Sequence, residues 1–304
     1  MGLDSYCQVT PISVSPKKGS KNMNICLQPK FIERLGHEVQ CGRCRACRLS
    51  RKYEWVTRLT HEAHSWRWSV LYVTLTYSPE YLPRGYTLVP KDLQDFYKRL
   101  RKRLGPNGLR IKYYSCGEYG DSYGRPHYHA LIYGLNMSHA DLIFKAWGKC
   151  EPQSFKCEVP TSKDALGYVA GYTRKKIRKR YNSWYRETHG REPEFARQSI
   201  GIGKSWALAH ADQYKAQLSY YQDGKERFLP RYYRKVLGID AEMLQPQIDK
   251  MLCKNDEMYH ESYLRTGKRL TYTQFMQSVR EECDLRLKLK EEAYDLKRKQ
   301  KGIH

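Results

Sequence analysis

His127 and His129 stand two positions apart in "RPHYHALIYG" (125–134), at the mouth of an apolar run. Imidazole is the side chain most readily recruited to a divalent metal near neutral pH. On a β-strand, positions i and i+2 share a face, so both rings would project together and Tyr128 would point the other way. Two such rings make half of a metal site, and the alternative is a pair of hydrogen-bonded surface histidines. Glu118 precedes His127 by nine residues, with a turn between them. If the two flanking segments pair as a hairpin, its carboxylate can sit opposite the imidazoles. Two histidines and one carboxylate leave positions on Mn²⁺ or Mg²⁺ for water and a phosphate oxygen.

A second constellation lies in "GYVAGYTRKK" (167–176). Tyr168 and Tyr172 are four residues apart, so on a helix they share a face, with Lys175 and Lys176 close to it. Alone, this reads as an amphipathic helix whose basic end suits the helix dipole. Beside a metal its meaning changes. A tyrosine hydroxyl can attack a phosphodiester if the charge building on phosphate is stabilised, and a lysine can steady the phosphate or the phenolate. The basic run that follows, with Arg174, Arg178, Lys179 and Arg180, is expected to track DNA phosphates, which makes binding salt-dependent.

Two further motifs bear on metals and nucleotides. "CGRCRAC" spaces Cys41, Cys44 and Cys47 at two-residue gaps, as thiolate ligands of a structural zinc are spaced. Cys7, Cys26, His61 or His64 could complete the tetrahedron, and Cys7 is the first choice because the N-terminus can fold back. Such a zinc would orient Arg43, Arg45 and Arg48 toward DNA. "QSIGIGKS" (198–205) superficially resembles a phosphate-binding P-loop, but the pattern requires glycine where Gln198 stands, and no good strand is expected before it. ATP binding is not expected.

The elements that must position these residues follow from periodicity. Helical spacing runs through 48–66, β-branched and aromatic residues mark a strand at 69–78, and Leu93, Phe96, Leu100 and Leu104 line one face of a helix over 91–105. Strands follow at 109–120 and 127–135, joined by the short turn "DSYGRP" and therefore antiparallel. A helix at 139–149, a short strand at 154–160 and a long basic helix at 162–180 complete the pattern. The order β-α-β-β-α-β-α predicts an α+β fold with a split βαβ sheet, ferredoxin-like or RRM-like, helices on one face and the other face open for a site. The divisions expected are 1–66, an irregular cysteine-containing segment and helix; 67–180, the core; 181–240, an extension of loops and short helices; and 241–304, a charged helical or flexible tail.

The chain has 304 residues, 55 Lys plus Arg against 32 Asp plus Glu, and a formal net charge of +23. That imbalance favours a polyanionic partner, and the 26 tyrosines offer rings on which bases can stack. No run is long and apolar enough for a membrane span, and the first twenty residues lack a signal-peptide core, so a cytoplasmic protein with reduced cysteines is expected.

"PHYH" resembles the HUH motif (histidine, hydrophobic residue, histidine) of rolling-circle replication initiators. "LYVTLTY" is similar to their first motif and "YVAGYTRKK" to their paired-tyrosine motif. Together with "CGRCRACR", "YSCGEYGDSYGRPHYHALIYG", "SIGIGKSW" and "LPRYYRK", these stretches resemble the initiators of Microviridae, the small single-stranded DNA phages, in the gokushovirus-like group, over roughly residues 38–235. The resemblance implies an HUH endonuclease fold for the core, and metal-dependent, site-specific nicking and joining of circular single-stranded and replicative-form DNA in the cytoplasm of a bacterial host. It assigns Glu118, His127 and His129 to the metal, Tyr168 and Tyr172 to nucleophilic attack through a 5′-phosphotyrosine, and Lys175 or Lys176 to assistance. A host helicase and polymerase would be partners. Gly171 departs from the group, which usually carries a basic residue there. The competing readings are a plasmid or transposon initiator with the same chemistry, and a non-catalytic zinc-containing DNA-binding protein.

Overall fold

The computed structural model of the chain describes residues 25–120, 123–160, 166–167, 186–222 and 224–300. The first elements are a small antiparallel hairpin, β1 (Lys30–Ile32) and β2 (His37–Val39), inside a stretch that lacked any strand signal in sequence. The 21-residue helix α1 (Arg45–Ser65) follows. Its burial repeats at Val56, Leu59 and Ala63, the spacing of one helical stripe.

The central sheet contains β3 (Val70–Leu75), then, after α2 (Pro90–Leu104), β4 (Lys112–Tyr119) and β5 (Pro126–Tyr133), and, after α3 (Ala140–Trp147), β6 (Lys156–Glu158). A fifth strand, β7 (Phe195–Gln198), joins the β4 edge. The spatial order is β6-β3-β5-β4-β7, with every neighbouring pair antiparallel. The first four strands thus form the split βαβ arrangement that the element order implied, and the α+β class is met. The strand β7 comes from the stretch read as loops and short helices, and it corrects the expectation that no good strand precedes "QSIGIGKS"; Gln198 still stands where the P-loop pattern has glycine. Four residues at a sheet edge are too few for alternation to announce them.

Alternation along the strands divides the core in two. Leu71, Val73, Leu75, Tyr128, Ala130 and Ile132 face α2 and α3, where Leu93, Phe96, Leu100 and Trp147 close the layer. Each fully buried leucine there contributes about 1.5–3 kcal/mol by leaving water. On the opposite face Val70, Tyr114, Cys116, Leu131 and Tyr133 pack against Val56, Leu59 and Ala63 of α1. This corrects the expectation of a wholly open second face. The long helix α1 lies over the Val70–Tyr133 end of it, and the polar residues Thr74, Glu118, His127 and His129 occupy the same face farther along.

A smaller core builds on the outside of α1. It comprises α4 (Lys204–Ala209), α5 (Ala211–Gln217), the hairpin β8 (Ser219–Gln222) and β9 (Lys225–Phe228), and α6 (Arg231–Leu237). Tyr214, Tyr220, Tyr233 and Leu237 are buried together in it. The layer is fastened to α1 by polar contacts: Tyr220 with Thr57 at 2.7 Å, Tyr233 with His61 at 3.0 Å, and the Arg58 guanidinium held between the Trp55 and Tyr232 rings at 4.1 and 4.0 Å. Buried Glu62 accepts from Lys112 (2.8 Å), Trp66 (2.7 Å) and the Gly203 amide (2.6 Å). Its charge is therefore compensated, as a buried carboxylate requires. Gly203 adopts φ +76°, and a side chain there would collide with the Tyr233 hydroxyl, which gives the "GIGK" glycine a packing role.

Two long helices, α7 (Gln245–Thr266) and α8 (Tyr272–Gln300), end the described chain. The charged C-terminal stretch is helical, and α8 docks onto the start of α1. Arg45 pairs with Asp284 at 2.6 Å and Glu291 at 2.8 Å, and Arg280 pairs with Glu38 at 2.7 Å. Among the described residues no helix is long and apolar enough to cross a membrane.

Candidate metal centre

The β4–β5 register places Glu118 directly opposite His127 and Cys116 opposite His129. Because side chains alternate, Glu118, His127 and His129 all project from one face. Nε2 of His127 and Nε2 of His129 each lie 2.9 Å from the same oxygen, Oε1 of Glu118. One ligand atom from each of the three falls within 4.8 Å of the others. Glu118 and His129 are buried and His127 is half-buried.

The far sides of both rings are held. His127 Nδ1 donates to the Arg125 carbonyl at 3.1 Å, which in the neutral ring leaves Nε2 as the lone-pair nitrogen. His129 Nδ1 meets the Tyr72 hydroxyl at 2.6 Å and Thr74 Oγ1 at 3.2 Å, and the Tyr72 ring stacks on the imidazole. Metal-binding histidines are oriented by such partners on the non-ligating nitrogen. The donor set and its outer partners therefore fit a divalent ion with open positions. Tyr72 and Thr74 were not singled out in the sequence. The signal was there: both stand at even positions of β3, on the face that Thr74 shares with its register partner His129.

The carboxylate and the two imidazoles shift one another's protonation. Burial pushes the Glu118 carboxyl up, but the hydrogen bonds from both histidines and their charges outweigh it and hold the group down at about 2. Burial pushes His127 down, yet the Glu118 hydrogen bond and charge more than reverse this and its pKa is raised. Burial keeps His129 low, with repulsion from His127 and Lys156 adding to it despite Glu118. Of the two rings, His127 therefore holds a proton more readily than His129.

An ion bound at His127 Nε2 must displace that proton. As pH falls through the raised pKa of His127, protonation competes, and Mn²⁺ affinity should drop by about tenfold per pH unit. Calorimetry in buffers of different ionisation enthalpy should show proton release on binding that grows toward about one proton as pH falls through the raised pKa of His127. A flat pH profile would contradict the triad as ligand set.

Tyr128, between the two histidines, anchors the strand from the other side. It is fully buried against Trp147, Tyr77 and Phe195, and its hydroxyl takes the Val89 amide at 2.9 Å. Tyr128→Ala should cost about 3–5 kcal/mol in urea unfolding, and Tyr128→Phe about 1–3 kcal/mol. Both effects would act on histidine placement through the backbone.

The remaining sequence candidates divide in two. Tyr168, Tyr172, Lys175 and Lys176, with Arg174, Arg178, Lys179 and Arg180, lie outside the described residues. Leu166, two positions before Tyr168, is fully buried in the cluster shared by α1 and the triad face. Among the described residues the cysteines do gather: Cys41, Cys44 and Cys47 lie with Cys26, one of the candidates for a fourth ligand. Cys7 lies outside the described residues. His61 and His64 are instead engaged in the aromatic stack around Trp206. Arg45, expected to face DNA, is turned to the carboxylates of α8.

Comparison with known proteins gives a consistent result. The family described as replication-associated protein ORF2/G2P matches residues 70–177, which run from β3 through the triad to the two tyrosines. The chain is 30% identical to the replication-associated protein ORF2 of Spiroplasma virus 4 over 229 residues, covering 66% of this chain and 67% of that protein. It is 28% identical to the replication-associated protein VP4 of Bdellovibrio phage phiMH2K over 224 residues, covering 64% and 65%. With the replication-associated protein ORF4 of Chlamydia phage 1 it shares 24% over 257 residues, covering 79% of this chain and 60% of that one. No solved structure matches.

Proposed function

The chain belongs to the replication-associated protein ORF2/G2P family of small phages, and from that premise we propose that it initiates rolling-circle replication by nicking and rejoining phage DNA. The observation that carries this reading is the convergence of two imidazole nitrogens on one carboxylate oxygen, 2.9 Å from each. Glu118, His127 and His129 would hold the ion, Mn²⁺ or Mg²⁺. When bound, it supplies charge stabilisation at the scissile phosphate.

The chain's own residues do the rest. The hydroxyl of Tyr168 or Tyr172 attacks phosphorus, an O–P bond forms to the 5′ side, and the bond from phosphorus to the 3′-oxygen breaks. The phenol gives up its proton and the departing 3′-oxygen gains one, so the products are a 5′-phosphotyrosine and a free 3′-hydroxyl for the host polymerase. Attack by a 3′-hydroxyl on the phosphotyrosine reverses the step and closes a circle. Two tyrosines let one hold an end while the other cuts again. Lys175 or Lys176 steadies the phosphate or the phenolate. The basic run beyond them, within a chain of net charge +23, holds the strand by its phosphates.

The test is a denaturing gel of the purified chain with single-stranded oligonucleotides tiling the encoding genome, with and without Mn²⁺. A covalent protein–DNA band that requires both the ion and one particular oligonucleotide is expected. DNA binding without such a band on any oligonucleotide would leave the non-catalytic binder as the better reading.

A further inference from the structure

We propose that Cys26, Cys41, Cys44 and Cys47 bind one Zn²⁺, and that this ion is the staple that holds residues 25–44 folded and gives α8 its docking surface. The four sulfurs lie within 4.8 Å of one another, with Cys26 to Cys44 at 3.9 Å and Cys41 to Cys47 at 4.0 Å. Tetrahedral zinc with Zn–S bonds of about 2.3 Å sets its sulfurs about 3.8 Å apart, whereas a disulfide would bring two of them to about 2.05 Å. None of the four is in a disulfide.

Backbone amides are aimed at the sulfurs as they would be at thiolates. Cys41 Sγ accepts from the amides of Arg43 and Cys44 at 3.3 Å each. Cys26 Sγ accepts from Cys41 at 3.2 Å, and Cys44 Sγ from Leu27 at 3.4 Å. These donors disperse negative charge that four neutral thiols would not carry. The hairpin β1–β2 is the loop between the first and second ligand, and Cys44 and Cys47 flank the first residues of α1.

The segment has little else to fold on. Cys26 is its one buried residue between positions 25 and 44, apart from positions 35 and 37, whose side chains are not described. A stretch with so small a core needs a crosslink or a metal to stay ordered. What it presents is used by α8: Arg45, between two ligands, pairs with Asp284 and Glu291, and Glu38 of the hairpin pairs with Arg280. Loss of the ion should therefore free α8 while leaving the triad sheet, with its own two cores, intact.

The experiment uses the full chain purified without added metal. Elemental analysis should find about one zinc per chain, and Cys26→Ser should lower this at least about tenfold. Cys7→Ser and the exposed-site control Cys253→Ser should leave it unchanged. With cobalt in place of zinc, a thiolate-to-metal charge-transfer band should appear, survive Glu118→Ala and vanish in Cys26→Ser. Hydrogen exchange of the chelated wild-type chain should show α8 and residues 25–44 losing protection while β3–β5 keep theirs; this arm holds even if Cys26→Ser fails to fold. Zinc retained in Cys26→Ser, zinc lost in Cys7→Ser, or a wild-type chain with no zinc and no cobalt–thiolate band would each overturn the proposal. So would α8 protection that is indifferent to chelation.

Discussion

Glu118→Ala should abolish Mn²⁺ binding at the triad, with affinity falling at least about 100-fold, and take DNA nicking below detection. The carboxylate is the only anionic member of the set, and a single oxygen of it faces both imidazoles. Without it, two neutral rings remain, and His127 loses the hydrogen bond and charge that raise its pKa. The fold should survive. Imidazole can shed its proton and stay neutral, so the variant does not strand a buried charge, the situation that makes broken buried ion pairs so costly. Glu118→Gln separates charge from shape: it keeps the volume and one oxygen and should still lose most of the affinity. Isothermal titration with Mn²⁺ and a nicking assay, run beside circular dichroism, distinguish these outcomes. Nicking at wild-type rate in Glu118→Ala would remove the triad from the chemistry. Binding of single-stranded DNA should change by less than about twofold, as expected if basic side chains and not the triad carry it.

The second large effect concerns the paired tyrosines. Tyr168→Phe with Tyr172→Phe removes two oxygens and nothing else, and the covalent band should disappear, a loss of at least about 10³-fold. Each single variant should retain one cut and fail at strand transfer, because the second nucleophile is missing. Loss of the band in only one single variant would demote the other tyrosine to support. Mn²⁺ affinity should be untouched in all three, which separates a nucleophile from a metal ligand.

How far the sequence alone reaches can be read from particular residues. The Glu118–His127 pairing was legible because the turn between the strands is short, so an antiparallel register leaves few alternatives. The faces were legible from alternation in "LYVTLTY" and "HYHALIY". The position of α1 was not: its apolar stripe announces a helix, but which sheet face the stripe covers depends on how the chain turns after Ser65. Cys26 is one of four candidates for the fourth ligand, beside Cys7, His61 and His64, because the hairpin that brings it to Cys41, 15 positions on, has no recognisable sequence signal. Arg45 reads as a DNA contact in a basic cluster until α8, more than 200 residues away, supplies its carboxylates. Local pattern specifies elements and faces. Long-range partners decide what polar side chains are for.

In the proposed reaction a tyrosine of "YVAGYTRKK" takes the DNA end while the triad holds the ion. The most direct measurement is mass spectrometry of the nicked product: the Mn²⁺-dependent adduct is isolated, digested, and the nucleotide-bearing peptide sequenced. A 5′-nucleotide is expected on Tyr168 or Tyr172, absent when Mn²⁺ is withheld or Glu118 is replaced by alanine. A nucleotide carried by any other residue, or an adduct that forms without metal, would contradict it.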